Sequence, residues 1–212
     1  MIIPNSLLKS KFIFYKIFKR LLDIFLSIVG ILISLPVLVF LKIYYKFFLK
    51  EKLIYRSKRV GQNLNTIIVY KIKTLKSDSE KTSKVTLLND ERLLKYARFL
   101  RKYKIDEIPQ FFNIMKGEMS IVGPRPNFKE LVDNYPDNIK EVLKEIKPGL
   151  TDLAILKYHD MDKFVGHSSY QEYFKNIEPK KLDLILKYYN KRSFLLDLKI
   201  IIKTILIIFF KK

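Results

Sequence analysis

The residues best suited to chemistry lie between positions 98 and 126, in RFLRKYKIDEIPQFFNIMKGEMSIVGPRP. Asp106 and Glu107 are adjacent carboxylates where a helix is predicted to begin. A helix start carries partial positive charge and free amides, so it favours an ionised carboxylate and can help to hold a phosphate. Arg98, Arg101, Lys102 and Lys104 come just before the pair. Arg125 stands between two prolines, which stiffen its backbone, and a guanidinium suits bidentate contact with phosphate. Such a set fits phosphoryl transfer. One carboxylate could attack phosphorus, and the other could hold Mg²⁺, which prefers oxygen ligands and substrate phosphates. Two plainer readings stand beside this one: an acidic pair at a helix start also works as a cap, and Gly-Pro-Arg-Pro as a rigid turn. His159 and Asp160 offer a second acid/base pair, which the chemistry of the dyad does not require.

The elements that must position these residues are predicted as follows. Residues 53–60 and 66–73 have strand composition and flank the turn-rich GQNLN, which indicates a β-hairpin. Ser77–Lys84 reads as a loop. Asn89 or Asp90 caps a helix that runs to Lys102, with Leu93, Leu94, Ala97 and Leu100 on one face. A second helix begins near Asp106 and ends by Gly117, with Pro109 in its first turn. Glu118–Val122 is a short strand. Further helices are predicted at 127–134, 137–146, 169–176 and 180–190. The fold class is α+β and predominantly helical.

Composition points to a membrane. The chain of 212 residues is 49% hydrophobic and carries a net charge of +20. Residues 1–52 hold nine Lys/Arg against two Asp/Glu, and residues 191–212 hold six against one. Positive charge is therefore densest beside the two most apolar segments. That distribution suits anionic membrane lipids and argues against nucleic acid as the partner. Cysteine is absent, which excludes disulfides and thiolate metal sites.

Leu21–Leu41 is about long enough to cross a bilayer. Lys16, Lys19 and Arg20 flank it on one side, and Lys42, Lys46, Lys50 and Lys52 on the other, so the positive-inside rule places both ends in the cytoplasm. Pro36 interrupts the run and is expected to break the helix, with Ser34 satisfying a freed carbonyl. The expectation is a re-entrant helix-break-helix. Asp23 either remains near the headgroups or pairs with a neighbouring cation. The last segment, Phe194–Phe210, is apolar but contains Asp197, Lys199 and Lys203, and reads as an interfacial helix whose lysines snorkel. Three regions result: a membrane-associated region at 1–52, a cytoplasmic catalytic domain at 53–193, and the interfacial C-terminal helix at 194–212.

The run IDEIPQFFNIMKGEMSIVGPRP resembles the signature of the bacterial sugar transferases, the monotopic phosphoglycosyl transferases. KRLLDIFLSIVGILISLPVLVF, VYKIKTLKSD and NKRSFLLDLKIIIKTI are similar to that family's membrane helix, basic strand and C-terminal segment. The resemblance covers about residues 12–205 and suggests the short form of the family. It implies transfer of a phosphosugar from a UDP-sugar to polyprenyl (undecaprenyl) phosphate at the bacterial cytoplasmic membrane. Asp106 matches the nucleophile that takes up the phosphosugar and expels UMP. Glu107 matches its Mg²⁺-associated partner. Arg101 and Arg125 match cations near the site, Lys71 and Lys73 match the basic strand, and Gln110 and Asn113 match polar positions of the signature helix with structural or supporting roles. The chain departs from the family pattern at Ser34-Leu35-Pro36, where many members have Ser-Pro. It departs again at KPGLTD, where Asp152 replaces a frequent glycine. That loop and the following LAILKYHDMD are where sugar or nucleotide choice is expected to be set.

Overall fold

A computed structural model describes residues 5–75, 93–94, 96–158 and 177–210, with side chains from residue 13 onward. Most of the described chain is helical. The first element, α1, is a helix of 40 residues from Asn5 to Tyr44, extended by a π-helical turn at Tyr45–Leu49. The predicted hairpin is present: β1 (Ile54–Val60) pairs antiparallel with β2 (Thr66–Ile72), in a register that sets Val60 opposite Thr66. The remaining elements are α2 (Ala97–Lys102), α3 (Gln110–Lys116), β3 (Ser120–Val122), α4 (Lys129–Val132), α5 (Asp137–Glu145), β4 (Gly149–Thr151), α6 (Leu153–Tyr158), α7 (Glu178–Lys191) and α8 (Phe194–Phe210).

Several expectations need correction. The helix does not break at Pro36; α1 is continuous through it. Proline removes one backbone donor, and the helix absorbs that loss here. The Ser34 hydroxyl donates to the Ile31 carbonyl at 3.1 Å, a contact of the kind that bends helices. Among the described residues, the helix predicted from residue 89 is present only from Ala97. Leu93 instead makes an antiparallel bridge to Leu75, and the Leu94 amide donates to the Thr74 carbonyl at 3.0 Å. The leucines reach the core in extended backbone, so their burial gave no warning of it. The helix predicted from Asp106 is divided. Ile105–Glu107 forms a 3₁₀ turn, and α3 begins after Pro109, which caps it rather than entering it. Pro109 has no N–H for the Ile105 carbonyl, which accepts from the Ile108 amide instead. The helix predicted at 127–134 shortens to α4. The loop at 77–84, the caps at Asn89 and Asp90, the helix at 169–176, and His159 and Asp160 lie outside the described residues.

The burial of α1 is inverted. Asp23, Ser27, Ser34, Leu41 and Tyr45 are buried at roughly helical spacing, while Phe14, Phe25, Leu32, Ile33 and Phe40 stand exposed. Polar side chains on the inner face bind backbone. Arg20 donates to the Ile114 and Met115 carbonyls at 2.6 and 2.8 Å, satisfying the end of α3. Asp23 accepts from the Ser120 hydroxyl and the Ile121 amide at 3.0 and 2.8 Å. Lys19 reaches the Val122 carbonyl and Asp197 of α8, both at 2.8 Å. Tyr15 and Tyr188 also donate to Asp197. The charges expected at headgroups are in part anchors for the strand that leads into Gly-Pro-Arg-Pro. The α8 helix is as inverted as α1: Asp197 and Ile200 are buried, and Leu195, Ile202, Phe209 and Phe210 are exposed.

An unpredicted strand completes the frame. β4 runs parallel to β3, pairing Ser120 with Gly149 and Val122 with Thr151. The two backbones approach so closely at Gly123 and Gly149 that a Cβ on Gly149 would lie 2.1 Å from the Gly123 nitrogen and 2.3 Å from its oxygen. Backbone on the far side cannot move aside as a side chain can. Gly149→Ala should therefore destabilise the protein by about 3 kcal/mol, at the top of the overpacking range. Gly61→Ala, whose Cβ meets the Ile67 methyl group at 2.6 Å, should cost less. Thermal unfolding of both variants in detergent tests this ranking.

Candidate active site

The site is built where the hairpin, the 3₁₀ turn and the Gly-Pro-Arg-Pro segment meet. Lys104 adopts the left-handed conformation (φ 56°) and turns the chain so that Asp106 and Glu107 point inward. Both are buried, at 7% and 5% exposure. Arg125 is aimed by its surroundings: its amide donates to Asp152 at 3.2 Å, and Gly149 donates to the Pro124 carbonyl at 2.9 Å. Its guanidinium grips Glu107, with Nη2 to Oε1 at 2.6 Å and Nη1 to Oε2 at 3.4 Å. From β2, Lys71 Nζ approaches the same Oε1 at 3.3 Å.

These contacts separate the two carboxylates electrically. Burial alone would push Glu107 up, but Arg125, Lys71 and Lys104 outweigh it and hold Glu107 well below its ordinary value. Asp106 moves the other way. Burial raises it, the Glu107 charge raises it further, and Lys71, Lys104 and Arg101 oppose the rise. The helix start expected to keep Asp106 ionised is only a 3₁₀ turn, so the surrounding cations are what favour its charge. Oδ1 of Asp106 is buried without a hydrogen-bond partner among the described residues, and so is Nε2 of Gln110, one helical turn later. A buried polar atom without a partner costs about 1–3 kcal/mol. Both orphaned atoms lie in the segment that carries the dyad, where the cations gather around Asp106 and Glu107.

The other predicted residues fall at varying distances from this centre. Arg101 donates to the Thr74 hydroxyl at 3.1 Å while its charge acts on Asp106. Lys73 lies just past β2 and pairs with Glu51 at 3.0 Å. It lines an open groove of about 490 Å³ with Lys52, Ile54, Tyr55 and Arg56. Asn113 is a clamp: its side chain donates to the Ile68 carbonyl and to Glu118, both at 2.6 Å, and accepts from the Tyr70 amide at 3.1 Å. It fastens α3 to β2 and so fixes the 3₁₀ turn against Lys71. Asp152 lies in the loop where sugar or nucleotide choice is expected to be set. In the fold it caps α6 through the Ile155 amide at 2.6 Å and supports Arg125. Sequence reasoning missed Arg59 of β1, whose charge acts on Arg125 and Glu107. Its only local signal was its place in a basic strand.

Comparison with known proteins identifies the family. The family model for bacterial sugar transferases matches residues 14–211. The UDP-glucose:undecaprenyl-phosphate glucose-1-phosphate transferase of Klebsiella pneumoniae is 33% identical over 193 residues, which cover 89% of this chain and 39% of that protein. The undecaprenyl-phosphate galactose phosphotransferase of Salmonella typhimurium is 34% identical over 170 residues, covering 71% and 34% respectively. The sugar transferase EpsL of Bacillus subtilis is 31% identical over 191 residues, covering 89% and 86%. The chain thus spans about two fifths of the length of the Klebsiella protein and most of EpsL. A match across nearly all of its length makes this chain a member of the bacterial sugar transferase family.

Proposed function

We propose that this protein transfers a sugar phosphate from a UDP-sugar to undecaprenyl phosphate through a covalent intermediate on Asp106, as a first step in building a surface glycan. The observation that carries the reading is the buried, unpartnered Oδ1 of Asp106 amid Lys71, Lys104 and Arg101. A carboxylate oxygen with no partner among the described residues is available to attack. In the first half-reaction it bonds to the phosphorus that carries the sugar. The bond from that phosphorus to the bridging oxygen breaks, and UMP leaves with the bridging oxygen. In the second, a phosphate oxygen of the lipid attacks the same phosphorus and displaces the Asp106 carboxylate, leaving sugar and lipid joined by a diphosphate. Glu107, fixed by Arg125, keeps both the cations and the nucleophile in place. Gln110 can donate to a phosphate oxygen through its unpartnered amide.

Mg²⁺ fits this donor set. The orphaned Asp106 oxygen lies beside Glu107, and a hard cation takes carboxylate and phosphate oxygens together. Glu107 and the donor phosphates would hold it, and it would neutralise charge developing on the diphosphate. No group of three or more His, Cys, Asp or Glu side chains suited to a metal occurs among the described residues. An ion here would therefore depend on substrate for part of its coordination.

The membrane placement belongs to the same proposal. Supporting it is the fact that both flanks of the apolar stretch are held by one domain. Lys19, Arg20 and Asp23 bind residues 114–122, and the Tyr45 hydroxyl donates to the Lys73 carbonyl. A straight crossing would separate those flanks by a hydrocarbon core of about 30 Å. An α1 that bends or lies shallow, with its exposed apolar face in lipid and α8 lying at the interface, would keep the dyad at headgroup height. There a lipid phosphate and a soluble nucleotide sugar can both reach it from the cytoplasmic side.

Three outcomes are expected. Asp106→Asn should abolish UMP release from the cognate UDP-sugar, by at least about 10³-fold, and Glu107→Gln should lower it by about 10²-fold or more; a panel of UDP-sugars with undecaprenyl phosphate present measures both. Chelation with EDTA should stop turnover, and Mg²⁺ should restore it. Reporters fused before Lys16 and after Lys52 should both read cytoplasmic; opposite readings would turn the segment into a true span.

A further inference from the structure

Arg59 brings charge into the site without a carboxylate of its own. Alternation along β1 puts Tyr55, Ser57 and Arg59 on one face of the hairpin. Lys71 lies opposite Tyr55, and Ile67 opposite Arg59, so Arg59 shares its face with Lys71. That is the face from which Lys71 meets Glu107. The Arg59 guanidinium sits over the Phe128 ring, 3.4 Å from its centroid, and its Nε donates to the Ser57 hydroxyl at 3.0 Å. Among the described residues it makes no ion pair.

The ring beneath it is braced. Phe128 lies three residues after Arg125, on a segment tied to β1 by the Val60 amide, which donates to the Asn127 carbonyl at 2.9 Å. The Asn127 side chain donates to the Tyr135 hydroxyl at 2.8 Å, and that hydroxyl donates to Glu178 at 2.6 Å. One loop therefore aims Arg125 directly and Arg59 through the aromatic face. Burial, and then the neighbouring Arg125 charge, lower the Arg59 pKa to about 10. Of the two carboxylates whose charges act on Arg59, Glu107 and Glu130, the one with the larger effect, Glu107, is already held by Arg125 and Lys71. Two guanidiniums kept together against their own repulsion call for further negative charge from outside the protein.

We infer that Arg59, stacked on Phe128, binds a phosphate of the nucleotide-sugar donor beside Arg125. This rests on the donor reading proposed above. Position favours the donor over the lipid. The hairpin end at Ile54 and Ile72 adjoins the end of α1, where Tyr45 bonds to Lys73. Arg59 is five residues further along β1, about 17 Å at strand spacing. It lies towards the turn, where Gln62 donates to the Glu145 carbonyl of α5. A diphosphate arriving from solution meets that end first.

Calorimetric titration of the full-length protein in detergent, with Mg²⁺ present, tests the inference with two probes, UDP and undecaprenyl phosphate. Arg59→Gln should weaken UDP binding roughly ten- to hundredfold, the range for a lost charge-assisted contact, and leave undecaprenyl phosphate binding within about twofold. Arg59→Lys should recover part of the UDP affinity, because it keeps the charge without the flat stacking face. Equal UDP affinity in wild type and Arg59→Gln would overturn the inference while leaving the donor reading intact. A loss confined to undecaprenyl phosphate would also overturn it, assigning Arg59 to the acceptor. Loss of UDP binding with a lowered melting temperature and no recovery in Arg59→Lys would reduce Arg59 to a structural role. Absence of UDP binding in the wild type would overturn the donor reading and the inference with it.

Discussion

Two adjacent carboxylates can be buried together in their charged forms only if cations surround them, and the rest of this structure is arranged around that requirement. Glu107 has its cations fixed by geometry: a two-pronged grip from Arg125 and a lysine from the neighbouring strand. Asp106 has cations near it but, among the described residues, no bond to its Oδ1. The asymmetry gives the pair different work. One carboxylate is immobilised as part of the frame, and the other keeps an oxygen free for a ligand. Much of the surrounding fold serves to hold the grip. β3 and β4 carry the Gly-Pro-Arg-Pro segment, Asp152 fixes the Arg125 backbone, and Asn113 fixes the strand that bears Lys71.

The second constraint comes from α1. Its polar residues face inward and its large apolar residues face outward, the reverse of a helix on the surface of a soluble protein. Exposed apolar area of this extent marks a surface that meets something other than water. Because Arg20, Asp23 and Lys19 bond to the end of α3 and to β3, the helix that would enter lipid also holds the strand leading to Arg125. Gly30 sharpens the coupling, since a Cβ there would come within 2.6 Å of the Phe111 ring of α3. Presentation of the apolar face of α1 and alignment of the site thus rest on one set of contacts.

The ordered run from Ile105 to Pro126 made the dyad, Arg125 and the family legible, because both residue type and spacing are constrained there. The hairpin was legible from its composition and turn, and α8 from an apolar run punctuated by Asp197, Lys199 and Lys203. Other features depended on partners far along the chain. Leu93 and Leu94 read as helical because burial looks alike in a helix and a bridge until Leu75 and Thr74 are known to be beside them. β4 is three residues long, too short for a periodic pattern, and exists because Gly123 and Gly149 allow close approach. Pro36 suggested a break, but a long helix held at both flanks tolerates one missing hydrogen bond. Arg59 looked like one more strand cation; what sets it apart is Phe128, which packs beneath it from a distant loop.

The central claim is that the Asp106 carboxylate itself carries the phosphosugar. The most direct measurement is peptide mass spectrometry of wild-type protein, quenched after incubation with a cognate UDP-sugar and Mg²⁺ in the absence of lipid acceptor. The account predicts a peptide containing Asp106 heavier by one sugar phosphate, which disappears when undecaprenyl phosphate is added. An active enzyme that shows no such adduct under those conditions, or bears it on another residue, would contradict the account.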